Sequence, residues 1–369
     1  MSAFCLCMFT ACDSDDNNLL CYGTHTDIEG DVTAFGAVGD GKTDCSKAIN
    51  SAIASLPAEG GVLVIPEGDF VLDAPIVINK HNVKIKGLNP GMRSNIDVNG
   101  INDLLGPGGG SKLVARNAEA AIKVETGMKG VKIMNLMVSG GTEAKNIGIH
   151  FVGATDNGML SNIIGINLHT GVKIEQAKNM QIVNCWVCEL PNSIELIGGE
   201  NIVVKNCQLG AQPTGITCKV QEVNKLSFIN NQVYPDGREN LVLDACNNCV
   251  IEGNNFKSYY NGILVLNGND NTVNKNIFWL TGAVQNQLLD HGDDFGIINV
   301  KGNNNMVASN SLSCEWAYAG AVTVNAVQGT GNVFKNCFVD NLESYRVFLV
   351  NAQTEVSNCV SSDKVSIVE

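Results

Sequence analysis

Short aliphatic and β-branched runs, broken by Asn and Gly, recur along most of the chain: GVKIMNL, NMQIVNCWV, NIVVKNCQL, KLSFINNQV, NCVIEGNNF, NTVNKNIF and NVFKNCFV. Apolar and polar positions alternate within these runs, the period of a strand that buries one face. The repeated phrases carry Asn135, Asn162, Asn184, Asn206, Asn230, Asn254, Asn276, Asn310, Asn336 and Asn358, at intervals of 27, 22, 22, 24, 24, 22, 34, 26 and 22 residues. A period in this range predicts a solenoid, whose units bury their apolar faces only by stacking. Each coil reads as two or three short strands. The interval of 34 marks an insertion, TGAVQNQLLDHGDDFG at residues 281–296.

Ahead of the repeats, DVTAFGAVGDGKTDCSKAINSAIASL has Ala48, Ile49, Ala52 and Ile53 at helical spacing, with Asp44 placed as an N-cap. A helix here is expected to cover the open end of the solenoid and hide its strand edges. GGVLVIPEGDFVL gives the first strong strand, and residues 87–111 form a Gly-rich excursion. The domain reading is a tether over residues 1–30 and one β-solenoid over 31–369. The opening MSAFCLCMFTACDSDDNN reads as the tail of an export signal with a lipobox-like FTAC. Cys12 is then the lipidated residue, and the protein an exported periplasmic or cell-surface lipoprotein. The apolar run is far shorter than the roughly 20 residues of a spanning helix, and an ordinary N-terminal segment is the competing reading.

Composition narrows the ligand. Thirty-nine glycines and eight prolines suit many tight turns. A net charge of −13 argues against a nucleic-acid partner and disfavours polyanionic substrates, so a neutral ligand is expected. Among the 14 cysteines, Cys185, Cys207, Cys337 and Cys359 each follow a ladder Asn directly and are expected to stack as small buried groups. The CxxC pairs Cys185/Cys188 and Cys246/Cys249 fall inside repeat phrases with no further ligands nearby in sequence, so packing is preferred to zinc. The Asn ladder is read as scaffold, its amides satisfying turns along the stack.

One strand of each coil aligns by period with Ile149/Phe151, Val172/Ile174, Ile194/Leu196, Ile216/Cys218 and Ile263/Val265 inward. That leaves His150, Lys173, Glu195, Thr217 and Leu264 outward. Three successive ionisable side chains exceed what packing needs, although a solvated surface or a Lys173–Glu195 cross-strand pair would also account for them. Glycosyl transfer requires an acid and a base, typically two carboxyls. The candidates are Glu195, Glu189, Asp236, Asp244 and the pair Asp293/Asp294, which would equally well cap the turn into FGIINV. Arg238 is a turn residue or a substrate donor; Trp186 stacks on a sugar or covers a coil.

In order along the chain, GLNPGMRS, CELPNSIEL, YPDGRENLVLDACNNCVIEGNNFKSYYNGILVLNGNDNTVNKNIF and GDDFGIINVKGNNNMVASN resemble the inulin fructotransferase family, fructan lyases that form difructose dianhydrides. The resemblance covers about residues 80 to 315. It implies a single-stranded right-handed parallel β-helix of the pectin-lyase-like class, a homotrimer with its site in a groove between subunits, and chemistry without metal or cofactor. A hydroxyl of the terminal fructose attacks the neighbouring anomeric carbon, and the cyclic dianhydride leaves. Some relatives instead hydrolyse the dianhydride. On the matching motif Glu195 is the general acid/base. The second carboxylate is expected from the preceding segment, where Asn184 and Glu189 stand; Asn184 cannot carry a proton as a carboxylate does. Asp293 and Asp294 match a late Asp-Asp segment expected to hold sugar hydroxyls, with Arg238, Asp236, His150, Lys173 and Trp186 as further substrate contacts. The competing readings are a dianhydride hydrolase, a non-catalytic glycan-binding β-helix and a polyuronate lyase-like protein. A polygalacturonase is disfavoured: His291 precedes GDD, and no Gly-His-Gly occurs.

Overall fold

The computed structural model describes residues 29–91, 110–141, 145–281, 294–314, 322–340, 346–361 and 365–368. All strand pairings are parallel, and each strand pairs with its counterpart in the coils before and after it. The result is a parallel β-helix, right-handed as parallel crossovers are.

Three ladders run along its axis. The first passes through Lys84, Lys132, Met159, Gln181 and Val203. The second passes through Met137, Ile164, Trp186, Gln208, Gln232, Asn255, Ile277 and Ser311. The third passes through Ile122, Ile149, Val172, Ile194, Cys218, Leu241, Leu264 and Ile298. In the middle coils the strands continue around the corners, so Thr170–Val183, Trp186–Lys205 and Gln208–Ile229 are 14, 20 and 22 residues long. One continuous core fills the interior from Val32 to Cys359.

The corner between the first and second ladders explains the Asn period and corrects one detail of it. Asn135, Asn162, Asn184, Asn206, Asn230, Asn336 and Asn358 hold φ of 52–58°, the left-handed turn that Asn tolerates better than other side chains. In the coils between them, Gly253, Lys275 and Ser309 take that place. Asn254, Asn276 and Asn310 therefore sit one position later, pointing inward.

The inward position forms a single buried stack: Cys185, Cys207, Asn231, Asn254, Asn276, Asn310, Cys337 and Cys359. The Asn276 carboxamide oxygen accepts from the Asn254 backbone N–H and side-chain amide at 2.9 Å each. Its own amide donates to the Ile251 carbonyl at 2.8 Å and to Asn310 at 3.0 Å. Every donor and acceptor is used, which is what a buried amide requires. A second stack, Asn271–Asn305–Asn332, repeats the device at the corner between the third and first ladders. All these cysteines are free, and Cys185 and Cys188 point to opposite sides of their strand, so they do not converge on one metal.

Helix α1 (Ser46–Ser55) closes the N-terminal end, with Ile49, Ala52 and Ile53 in the core. Its N-cap is Cys45 rather than Asp44. Asp44 stands one residue earlier and accepts from Ser46 and from the Asp73 backbone N–H, tying the helix start to the next strand. Asn50 bonds the backbone at Pro75 and Val77, fixing the helix over the coil below. Cys12 and the whole 1–28 segment lie outside the described residues, as does Asp293.

Candidate active site

The outward face of the third ladder carries a row of ionisable side chains in direct register: Lys123, His150, Lys173, Glu195 and Lys219. All five are half-buried. Alternation forces them outward, because Val172, Ile174, Ile194, Leu196, Cys218 and Val220 occupy the core.

The neighbour of Glu195 on the following coil is Lys219, two residues beyond the expected Thr217. Thr217 is fully buried instead. Further on, Val265 faces outward and Leu264 inward, the reverse of the alternation read from sequence. Both corrections have one cause. The corner before the third ladder varies in length, with register irregularities between Val187 and Asn192: a slip of two residues moves the pairing from Thr217 to Lys219, and a slip of one exchanges the two faces at Leu264 and Val265.

Glu175, not singled out by the sequence reading, organises the upper part of the row. Its carboxylate lies 2.9 Å from the Lys173 ammonium and 3.4 Å from His150 Nε2. Burial acts to raise its pKa, but the hydrogen bond and charge of Lys173, then of His150, outweigh it and hold the group below the ordinary range.

A second acidic group sits at the corner leading into this face. Glu189 is held at φ 63°, a left-handed conformation that Asn167 adopts at the equivalent place one coil earlier. Loss of hydration, and then the charge of Asp236, push the Glu189 pKa up. Loss of hydration likewise raises Asp236. Both carboxyls keep solvent contact, so the cause is crowding at a corner rather than a dry pocket. Tyr259 faces the same charge, and its phenol is raised by desolvation and then by Asp236. The Gln212 amide donates to the Glu189 carbonyl at 3.1 Å.

Arg238 is anchored here through its backbone N–H to Gly215 at 2.9 Å, while its Nε is buried without a protein partner. Thr217 Oγ1 and Asn240 Oδ1, in neighbouring coils of the same corner, are buried in the same unpaired way. Buried polar atoms are ordinarily hydrogen-bonded, so these three have donor and acceptor capacity left for water or a ligand. His169, also absent from the sequence candidates, is exposed at this corner, where its backbone carbonyl accepts from Asn192.

Four expected site residues are not brought to Glu195. Asn184 lies at the opposite corner of the second ladder, exposed, with about 16 Å of extended chain before Glu189. Trp186 is only 6% exposed and packs with Met137, Ile164 and Cys188, so it covers a coil and offers no open ring to a sugar. Asp294 pairs with Arg346 at 2.7 Å, and its carbonyl accepts from Asn325 at 2.6 Å. Asn325 is five rungs from Glu195 in the same row, about 24 Å along the axis. Asp244 accepts from Asn267 at 2.6 Å, outside the charged row. His150, Lys173, Glu195, Glu189, Asp236 and Arg238 are the sequence candidates that gather on one side of the helix.

Comparison with known proteins accords with this architecture. The family described as "Rhamnogalacturonase A/epimerase, pectate lyase-like" matches residues 31–234, and the "Right handed beta helix region" matches residues 214–367. The inulin fructotransferase [DFA-I-forming] of Arthrobacter globiformis is 24% identical over 321 residues, covering 77% of this chain and 80% of that protein. Among solved structures, DFA-IIIase from Arthrobacter chlorophenolicus A6 without its lid superposes with a TM-score of 0.77 at 21% identity, covering 93% of this chain and 97% of the other. The same enzyme in complex with GF2 gives a TM-score of 0.76 at 21% identity, with 92% and 96% covered.

Proposed function

The chain belongs to the rhamnogalacturonase A/epimerase, pectate lyase-like family, and from that premise we propose that it is a fructan-processing enzyme acting by fructosyl transfer. The observation that carries the reading is the pairing of two unlike carboxyl sites on one side of the helix. Glu195 stands between Lys173 and Lys219, and the Glu189–Asp236 pair lies at the adjoining corner with its pKa values raised. Similarity to an inulin fructotransferase over most of the chain supplies the substrate class.

In this mechanism Glu195 accepts the proton of the attacking fructose hydroxyl as its oxygen bonds the anomeric carbon. The Glu189–Asp236 pair, which holds a proton to higher pH than ordinary carboxyls, delivers it to the departing glycosidic oxygen. Arg238 and Lys219 donate hydrogen bonds to sugar hydroxyls. Release of a difructose dianhydride is the reaction favoured here. If water takes the place of the attacking hydroxyl, the same groups would hydrolyse the dianhydride.

Incubation with inulin and with difructose dianhydride, followed by chromatography, tests the proposal. Cyclic disaccharide from inulin supports transfer, and linear difructose from the dianhydride supports hydrolysis. Turnover of neither substrate rejects the enzyme in favour of a glycan-binding β-helix. We also propose the homotrimer, which a monomer mass by light scattering would exclude. Acylation at Cys12 and export to the cell surface form a further proposal, to be read from incorporation of labelled palmitate and its loss in Cys12→Ser.

A further inference from the structure

Around the corner from the charged row, the outward face of the first ladder holds a groove of about 550 Å³. Its floor is the register row Lys84, Lys132, Met159 and Gln181, one side chain per coil. Its wall is formed at the adjoining corner by the carboxamides Asn82, Asn157 and Asn179, each in the left-handed turn with φ of 52–55°, with Gly130 holding the same turn in the coil between Asn82 and Asn157. The line continues to Asn201, whose amide donates to Asn179 Oδ1 at 2.7 Å; Asn179 in turn donates to Asp156 at 2.8 Å.

A carboxamide has two N–H donors and an oxygen with two lone pairs. Those lateral bonds use only part of the capacity of Asn179, which also lines the groove. Turn geometry alone accounts for Asn at these corners but not for the floor. There, Lys132 stands directly in register with Lys84 on the strand before it, about 4.8 Å away, and both side chains line the groove.

We propose that this groove is an accessory carbohydrate-binding site that holds a neutral polyhydroxylated chain lying along the helix axis. At least one amide or ammonium donor per rung (Asn82 and Lys84, then Lys132, then Asn157, then Asn179 and Gln181) matches the repeating hydroxyls of such a chain. The chain-wide charge of −13 opposes a long polyanion, and Glu59 at the rim adds to that opposition. The identity of the chain as a fructan rests on the function proposed above; the presence of the site does not. Its role would be to retain a polymer whose end is processed at the other face.

Affinity electrophoresis of the full chain through gels containing inulin, a neutral glucan or polygalacturonate tests the assignment. The variants are Lys132→Ala/Gln181→Ala, Gln181→Trp as a blocking substitution, and Glu195→Gln, with thermal midpoints measured to confirm folding. Retardation by a neutral polysaccharide should persist in Glu195→Gln. In both groove variants the apparent dissociation constant should rise at least about fivefold, the scale of one or two lost hydrogen bonds. Retardation by the neutral glucan but not by inulin would keep the site and reject the fructan reading. Groove variants that bind like the unmodified chain, retardation by polygalacturonate alone, or no retardation by either neutral polymer would each overturn the site.

Discussion

The third ladder has two halves built on the same inward row but with different outward faces. From Lys123 to Lys219 the outward positions are ionisable and half-buried. From Val242 onward they become Val265, Asn299, Asn325 and Leu349, and most are buried. Asn299 is covered by the chain re-entering after the insertion, exchanging bonds with the Gly296 N–H and carbonyl at 2.9 and 2.8 Å. The inward residues remain apolar throughout, with Cys218 the one thiol among aliphatic and aromatic side chains. Stacking fixes the inward row, so side-chain chemistry is free to vary only on the outward one, and only one half of this row is ionisable.

The contrast is broken most severely at Glu195. Glu195→Gln should lower turnover of a fructan substrate by about 10²–10⁴-fold, the range for loss of an acid–base group, with an unchanged thermal midpoint. Val265→Ala, in the same row, should change turnover by no more than about twofold, a margin that counts as no loss of transition-state stabilisation. Retained activity in Glu195→Gln, read by product chromatography, would remove it from the mechanism.

An inward substitution should do the opposite. Asn276→Ala strips the Asn254 backbone and side-chain donors of their acceptor, and it frees the Ile251 and Asn310 acceptors. Stranding these buried groups should cost about 2–4 kcal/mol in urea unfolding. A loss below about 0.5 kcal/mol, the level of an ordinary surface substitution, would show that the stack is not a stabilising element.

Lys219→Val makes the charged half resemble Val242 on the next coil. It should reduce kcat/KM about tenfold, roughly 1.4 kcal/mol of transition-state binding, without unfolding the coil. No change in kcat/KM would confine the site to the Lys173 side of Glu195.

The smallest effect is a pH dependence at the corner. Because Glu189 has its pKa raised by desolvation and Asp236, the native state holds that proton to higher pH than the unfolded chain does. Native protein then binds more protons than unfolded protein between the ordinary carboxylate range and the raised value, so stability falls as pH rises through that window. Glu189→Gln should therefore raise the thermal midpoint at pH 7 and leave it unchanged below the carboxylate range. A midpoint shift that is the same at both pH values would place the effect elsewhere than in the carboxyl charge.

Much of this was legible in the chain because a stacked coil repeats its constraints. The Asn spacing, the inward cysteines, the helix over Ile49 and Ile53 and the outward Glu195 all follow from periods of 2, 3.6 and about 22 residues. Glu175 escaped because it lies two residues beyond the aligned row, where only its contacts with Lys173 and His150 reveal it. Lys219 escaped because the corner before it is longer than its neighbours. Trp186 was ambiguous because an outward aromatic can be covered or open, and its packing with Met137 and Ile164 closes it.

The sequence by itself determined the solenoid, its insertion and, in the coils carrying His150, Lys173 and Glu195, which face of the strand is buried, since these depend on local alternation summed over many similar units. Only the tertiary structure decided which outward residues are neighbours. That depends on corner lengths, which add up from coil to coil, and a one- or two-residue difference moves a side chain to another rung or another face. Asp236 therefore stands against Glu189 from 47 residues away, while Asp294, an expected sugar contact, ends paired with Arg346.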